Sequence, residues 1–256
     1  MAAKAKRWSL HVLFFLAVLG IWQLLALLYG EEIIPSPVKT AQGGYELLLD
    51  GTLPQYIGIS LFRVLAGWTL GSLAAIPLGI LVGKVGAVRT FIDPYINFIR
   101  FIPPIAFITL FLIWFGIGET SKIALILYAT FFIVLLNTLS GVLSVEEDKI
   151  RSARSMGASE WQIVRHVLVP ATVPYMFTGI RIAMGTSFMA IIGAEMIASN
   201  EGIGYLIWNS RLFFRTDWIF VGLICMGLMG FAADRSVAWI GGRWLSRYGV
   251  VGSTRR

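Results

Sequence analysis

The stretch 123–143 reads IALILYATFFIVLLNTLSGVL, twenty-one residues without a single charge. At about 1.5 Å of helical rise per residue it reaches across a hydrocarbon core of about 30 Å. Five further runs share that character, at 10–29, 58–83, 101–117, 174–198 and 218–240, with Pro103–Pro104 interrupting the third and Arg181 the fifth. The whole chain agrees with its local stretches. It is 57% hydrophobic and 14% charged, where a soluble domain carries about 25% charged residues. A lone cysteine, Cys225, excludes a disulfide scaffold. The predicted fold class is all-α integral membrane, one domain over 1–256 with about six transmembrane helices. Lys4, Lys6 and Arg7 precede the first run as in a signal peptide, but its apolar part is too long and no small-x-small cleavage pattern follows before Glu31. It is read as a retained helix.

The 21 Lys and Arg residues set the orientation. Fourteen fall on one side: Lys4, Lys6, Arg7, Lys84, Arg89, Arg100, Lys149, Arg151, Arg154, Arg165, Arg243, Arg247, Arg255 and Arg256. Four fall on the other (Lys39, Lys122, Arg211 and Arg215), and Arg63, Arg181 and Arg235 lie in or near spans. The positive-inside rule then places both termini in the cytoplasm, with an even number of crossings. It also accounts for the net charge of +7 without any nucleic acid. The longest outer segment, 30–57, is acidic, with Glu31, Glu32, Glu46 and Asp50 against Lys39. No soluble domain hangs on either face, so the chain has no room to bind and hydrolyse a nucleotide by itself.

The one sizeable polar stretch is 144–173, between the fourth and fifth runs. Ser144 with Glu147, and Ser159 with Gln162, have the spacing of capping boxes and predict two short helices. Gly157 suits the left-handed stop between them, and Pro170 ends the second. Ala153, Gly157-Ala158 and Val167-Leu-Val-Pro170 resemble the EAA loop of ABC-importer permeases, whose pattern is E-A-A-x3-G, nine residues, then I-x-L-P. The Gly-to-Pro spacing matches, while Arg151 stands in place of Glu and Ser152 in place of the first Ala. The resemblance is nearest to the nitrate, sulfonate, taurine and bicarbonate importer group. It extends to Ile34-Pro-Ser-Pro37, Arg63 with Gly67, Arg100-Phe-Ile-Pro-Pro-Ile-Ala106 and Trp114-Phe-Gly-Ile-Gly-Glu-Thr-Ser-Lys122. It continues through Gly179-Ile-Arg181, Ala194-Glu195-Met-Ile-Ala198 and Gly202-Ile-Gly-Tyr205.

That resemblance implies a type I ABC-importer permease fold with a cytoplasmic coupling-helix loop in a bacterial inner membrane. It assigns Ala153, Ser155, Met156, Gly157, Ala158 and Pro170 to the ATPase-coupling loop. The implied partners are two ATPase subunits at the cytoplasmic face, a periplasmic or extracellular substrate-binding protein, a second copy of this chain, and membrane lipid. The implied activity is import of a small anion by alternating access, sulfonate or taurine ahead of nitrate or bicarbonate. The chain itself is expected to be no enzyme and to bind no cofactor, ATP and Mg belonging to the partner ATPase. The residues agree: Gly79-Ile-Leu-Val-Gly83-Lys84-Val85 has three residues between its glycines and Val where a P-loop needs four and a hydroxyl. His11 and His166 are isolated and Cys225 has no base near it in sequence, so no catalytic group or metal site is predicted. The alternative from another class is a secondary transporter driven by an ion gradient, which predicts inverted repeats around broken helices.

Two patterns inside the spans carry further expectations. Gly67, Gly71, Ala75, Gly79 and Gly83 place a small residue every fourth position, a face for close helix packing, and Pro77 in the same span favours a kink. The ionisable residues Arg63, Arg181, Glu195 and Asp234 are the candidate translocation-path or gate residues, because charge inside a membrane is expensive. The topology matches them by depth as Arg63–Glu195 toward the outside and Arg181–Asp234 toward the cytoplasm. Two uses compete for the pairs: gates whose arginines attract an anion, or fixed structural ion pairs. The structural use is preferred, because an interior carboxylate needs a partner.

Overall fold

The computed structural model describes residues 2–248, with side chains from residue 10. Arg255 and Arg256 lie outside the described residues, as do the side chains of Lys4, Lys6 and Arg7. The helices in order are α1 (Ala2–Tyr29), α2 (Pro37–Leu49), α3 (Thr52–Lys84), α4 (Gly86–Ile99), α5 (Ile108–Phe115) and α6 (Glu119–Leu143). There follow α7 (Glu147–Ser155), α8 (Glu160–Ile163), α9 (Val169–Ala198), α10 (Ile203–Leu212) and α11 (Thr216–Trp244). Among the described residues, five helices are long and apolar enough to cross a membrane, or six if the bent pair α4–α5 is one span.

Helices α3, α6 and α9 form the centre, with α6 between the other two. The small-residue stripe explains the α3–α6 contact. A Cβ added at Gly67 would stand 2.6 Å from Ile126 Cβ, at Gly71 2.8 Å from Thr130 Cβ, and at Gly83 2.6 Å from Val142 Cβ. Ala75, in the middle of the stripe, is fully buried. On the opposite side of α6, Gly141 is pressed against Thr172 and Tyr175 of α9, and Gly179 of α9 against Asn137. Thr130 and Ser187 share a hydrogen bond of 2.9 Å across the same seam. Helix α3 runs through Pro77 as one helix. Helices α10 and α11 pack on α9, and α2 on α11. Ser36 caps α2 by accepting from the Lys39 amide. Arg215 ties α2 to α11 through Glu46 at 2.6 Å and Asp217 at 2.8 Å. Its hydrogen bond to Asp217, and then that to Glu46, raise the Arg215 pKa above its usual value. Helix α1 is largely exposed along its apolar stretch, held by Trp22, which donates to the Pro35 carbonyl and stacks on Phe220.

The third span differs from the expected single run at 101–117. Helix α4 starts at Gly86, ends at Ile99, and is bent by 88° from the segment Pro104–Phe115 that follows. Consecutive prolines explain the break: each lacks an amide donor, and each disfavours the helical region for the residue before it. The Tyr128 hydroxyl bridges the carbonyls on the near side of the break, 2.9 Å from Ile99 O and 3.3 Å from Ile102 O. Helix α4 packs on α3 and leads from the Leu143 end of α6 to the level of Tyr128. Gly83, just before it, lies against Val142, its Ile96 packs with Val134 and Leu135, and its last carbonyl meets Tyr128. Arg100 consequently sits near the middle of α6, not in an inner loop where the charge count placed it.

Candidate functional site

Two regions gather the predicted residues, one at each end of α9. In the loop, α7 is closed by a Schellman arrangement: the Ala158 amide donates to Ala153 O at 3.1 Å and the Gly157 amide to Arg154 O at 2.9 Å. This requires Gly157 to adopt φ +83, the left-handed region where glycine is preferred. Ser159 caps α8, its hydroxyl accepting from the Gln162 amide while Gln162 Oε1 accepts from the Ser159 amide. The first expected box is absent. Ser144 instead follows the end of α6 and donates to Gly141 O, and α7 starts at Glu147 without a side-chain cap. The final turn of α6 lies close enough to satisfy that hydroxyl, so it never reaches the α7 amides.

Pro170 does not end the second helix either. Residues Val164–Leu168 form a π turn in which the Val169 amide donates to Val164 O, and α9 continues from there. The π turn widens the helix just ahead of the ring, so the continuous helix accommodates Pro170 in the first turn after the bulge. Of the assigned loop residues, Ser155, Met156 and Gly157 form the exposed tip, Met156 being 81% exposed beside Trp161 at 69%. Ala153 is turned inward against Val142, Ile163 and Leu168. Glu160 clamps the unit, pairing with Arg154 at 2.9 Å and with Lys84 at the end of α3 at 3.3 Å. A cavity of about 720 Å³ opens beside α7, with Lys149, Met156, His166 and Pro170 in its wall. Arg151 makes a surface pair with Glu147 at 2.9 Å.

At the far end of α9 the structure joins Arg63 to Glu195 at 2.8 Å, both fully buried. The cluster is larger than that pair. Arg63 Nε and Nη2 donate to the two oxygens of Glu119, each at 2.6 Å, and Nη1 also reaches Ser199 Oγ and Glu201 O. Lys122 holds Glu119 from the other side at 3.0 Å. Glu195 also accepts from Ser60 Oγ at 2.8 Å and from the Gly204 amide at 2.8 Å, in the first turn of α10, where the helix dipole favours a carboxylate. Ser60 accepts from the Ile203 amide, completing the ring. Gly202 and Gly204 are required here, since a Cβ at either would collide with the Glu195 side chain. With its donors consumed and its surface closed, Arg63 has nothing left to offer a passing anion. A cleft of about 520 Å³ lies beside the cluster, lined by Lys122, Ser199, Asn200 and Glu201.

Arg181 and Asp234 also meet, in a forked contact of 2.7–3.0 Å, and are 34% and 40% exposed. Sequence reasoning missed Ser60, Glu119, Lys122, Glu201 and Glu160. The i,i+3 spacing of Glu119 and Lys122 at a helix start was a visible signal, whereas Ser60 acquires its role, and Glu160 its tie to α3, through contacts more than seventy residues away in the chain. Among the described residues, no group of three His, Cys, Asp or Glu is placed to hold a metal ion.

Comparison with known proteins places this geometry. Residues 75–246 match the family described as binding-protein-dependent transport system inner membrane component. A probable ABC transporter permease of Brucella melitensis is 38% identical, over 92% of this chain and 95% of that protein. The taurine transport system permease protein TauC of Escherichia coli is 35% identical, over 85% of this chain and 82% of its own. The nitrate import permease protein NrtB of Leptolyngbya laminosa is 34% identical, over 90% and 85%. In fold, the chain is similar to one from the inward-facing MetNI methionine ABC transporter, with a TM-score of 0.59 at 19% identity, covering 74% of this chain and 96% of that one.

Proposed function

This chain belongs to the binding-protein-dependent transport system inner membrane components, as an ABC importer permease of the sulfonate, taurine and nitrate group, and from that premise we propose that it imports a small anion, sulfonate or taurine before nitrate or bicarbonate. Two copies of the chain pair in the bacterial inner membrane with both termini in the cytoplasm. Two ATPase subunits dock on the loops at 144–173 and carry ATP and Mg, and a binding protein outside delivers the substrate. The chain performs no catalysis. Membership of the family favours this reading over an ion-gradient-driven mechanism.

One observation supports the mechanism: the second loop helix, α8, and the span that follows it are one piece. Residues Glu160–Ala198 continue from α8 through the π turn into α9, so a push on the loop is not absorbed by a flexible linker. The exposed tip at Ser155, Met156 and Gly157 seats in the ATPase, with Ala153, Ala158 and Pro170 setting its angle. Closure of the ATPase dimer then tilts α9 as a lever. The far end of that lever carries Glu195. The buried cluster around Arg63 serves as an outer latch, and Arg181–Asp234, half-open to solvent, as an inner contact remade during the cycle.

The test is purification of the chain in mild detergent from its native membrane, wild type against Gly157→Arg, with ATPase assay of the product and uptake of taurine, an alkylsulfonate, nitrate and bicarbonate into cells. An ATPase subunit that accompanies wild type and is lost from the variant, with anion uptake lost in parallel, is the expected result. Uptake that persists without any ATPase partner would overturn the reading.

A further inference from the structure

Arg63, Arg181 and Arg100 each face the problem of a charge at membrane depth, and the structure pairs the first two with carboxylates. Arg63 is fully buried with its donors spent on Glu119, Glu195, Ser199 and Glu201. Arg181 is held by the fork of Asp234. Arg100 is exposed, and its recorded contact is the ring of its neighbour Phe101 at 4.9 Å; among the described residues no carboxylate lies within 4.0 Å of it. Yet it sits at the proline break, level with Tyr128 to Ile133 in a helix spanning Glu119–Leu143. By helical rise that is about 14 Å from one end of α6 and about 15 Å from the other. An unpaired cation at that depth is costly and marks a functional site by default.

Arg100 opens onto a cavity of about 350 Å³ between the break, α6 and α9, lined also by Ile105, Tyr128, Phe132, Thr186 and Met189. That size falls within the usual range for small-ligand sites. Most of the wall is apolar, and its two side-chain hydroxyls are both committed as donors. Tyr128 gives its hydrogen to the carbonyls at the break, and Thr186 gives its own to Ala183 O at 3.0 Å. Their oxygens therefore only accept. One guanidinium fork, an apolar middle and two acceptors describe a complementary ligand: an oxyanion head, a short hydrocarbon body and a cationic tail.

We propose that Arg100 and this cavity form the mid-membrane contact site for the carried substrate, and that the ligand class is an aminoalkylsulfonate. The sulfonate lies on the Arg100 guanidinium, the methylenes against Ile105, Phe132 and Met189, and the ammonium toward the Tyr128 and Thr186 oxygens. This rests on the reading of the chain as an anion importer, and it assigns the anion to Arg100 in place of Arg63 and Arg181.

The experiment uses the permease–ATPase complex in proteoliposomes with its binding protein at saturation, and taurine, propanesulfonate and nitrate as probes. Arg100→Gln is expected to lower taurine uptake roughly 10- to 100-fold, the loss of a charged hydrogen bond, with Arg100→Lys in between. Arg89→Gln, on the helix α4 that leads to the break, is expected to transport as wild type. Propanesulfonate, which lacks the ammonium, should be carried more slowly than taurine. Wild type that carries none of the anions overturns the importer reading itself. Anion uptake by wild type with an unchanged rate in Arg100→Gln overturns this site alone. If Arg100→Gln fails to co-purify with the ATPase, thiol labelling of Met189→Cys in a Cys225→Ala background decides. Slower labelling with taurine present supports the site, and an unchanged rate at a taurine concentration that saturates uptake refutes it.

Discussion

Replacing Arg63 by Met should destabilise the protein more than replacing Glu195 by Gln, although the two residues are partners. The asymmetry follows from the bonds each leaves behind. Without Arg63, the fully buried Glu195 keeps Ser60 and the Gly204 amide but no cation, and Glu119 loses both of its 2.6 Å bonds. Removing one partner of a buried ion pair costs about 3–5 kcal/mol. In Glu195→Gln, Arg63 keeps the two oxygens of Glu119, and the new amide oxygen still accepts from Ser60 or Gly204. The expected cost is about 1–3 kcal/mol, that of an imperfectly satisfied polar group. The double variant no longer buries an unpaired carboxylate, so its cost should fall short of the sum by about 1 kcal/mol or more, as residues in contact do. The assay is thermal unfolding in detergent, followed by loss of the monodisperse gel-filtration peak, for both single variants and the double. On the soluble-protein scale of about 2–4 °C per kcal/mol, Arg63→Met should melt on the order of 10 °C below wild type. A Glu195→Gln variant as damaged as Arg63→Met, or strict additivity, would refute the buried-cluster account. A double variant that assembles but does not transport would identify the cluster as a moving latch.

Other expectations are local. Gly67→Val forces a side chain into Ile126 and should cost about 1–3 kcal/mol by overpacking, while Gly58→Ala, with open space around it, should be neutral or slightly stabilising in the same melt. Ser159→Ala removes an observed cap and should cost about 0.5–2 kcal/mol, seen as faster proteolysis at the loop; Ser144→Ala, which caps nothing on α7, should leave that rate unchanged. Gly157→Ala must place a Cβ in a left-handed conformation at φ +83 at about 1–2 kcal/mol, lowering ATPase stimulation, with Gly157→Asn milder.

Much of the architecture was legible along the chain because the bilayer imposes a single length scale. The apolar runs at 123–143, 174–198 and 218–240 fall within observed helices α6, α9 and α11. The glycine period in α3 marked the α6 contact, since close approach demands small residues whatever the partner. The Gly157 stop and the Ser159 box are local hydrogen-bond patterns that need few neighbours. The misreadings share another cause. Ser144 and Pro170 obey local rules that a neighbouring helix end and a π turn overrode. Glu119 looked like a loop residue until Arg63 arrived from fifty-six positions away.

Composition and charge order determined by themselves that this chain is a helical membrane protein, because desolvation and helix geometry act on short stretches; the permease type came from the resemblance of its loop and span segments to a known family. Depth and partnership were decided only in three dimensions. A count of charges treats Arg63, Arg100 and Arg181 alike. Folding buries the first among carboxylates, forks the third onto Asp234, and through a proline break lifts Arg100 from an apparent loop to the edge of a cavity halfway along α6. The electrostatic state of a charge depends on what surrounds it, and those surroundings come from residues far apart in the chain.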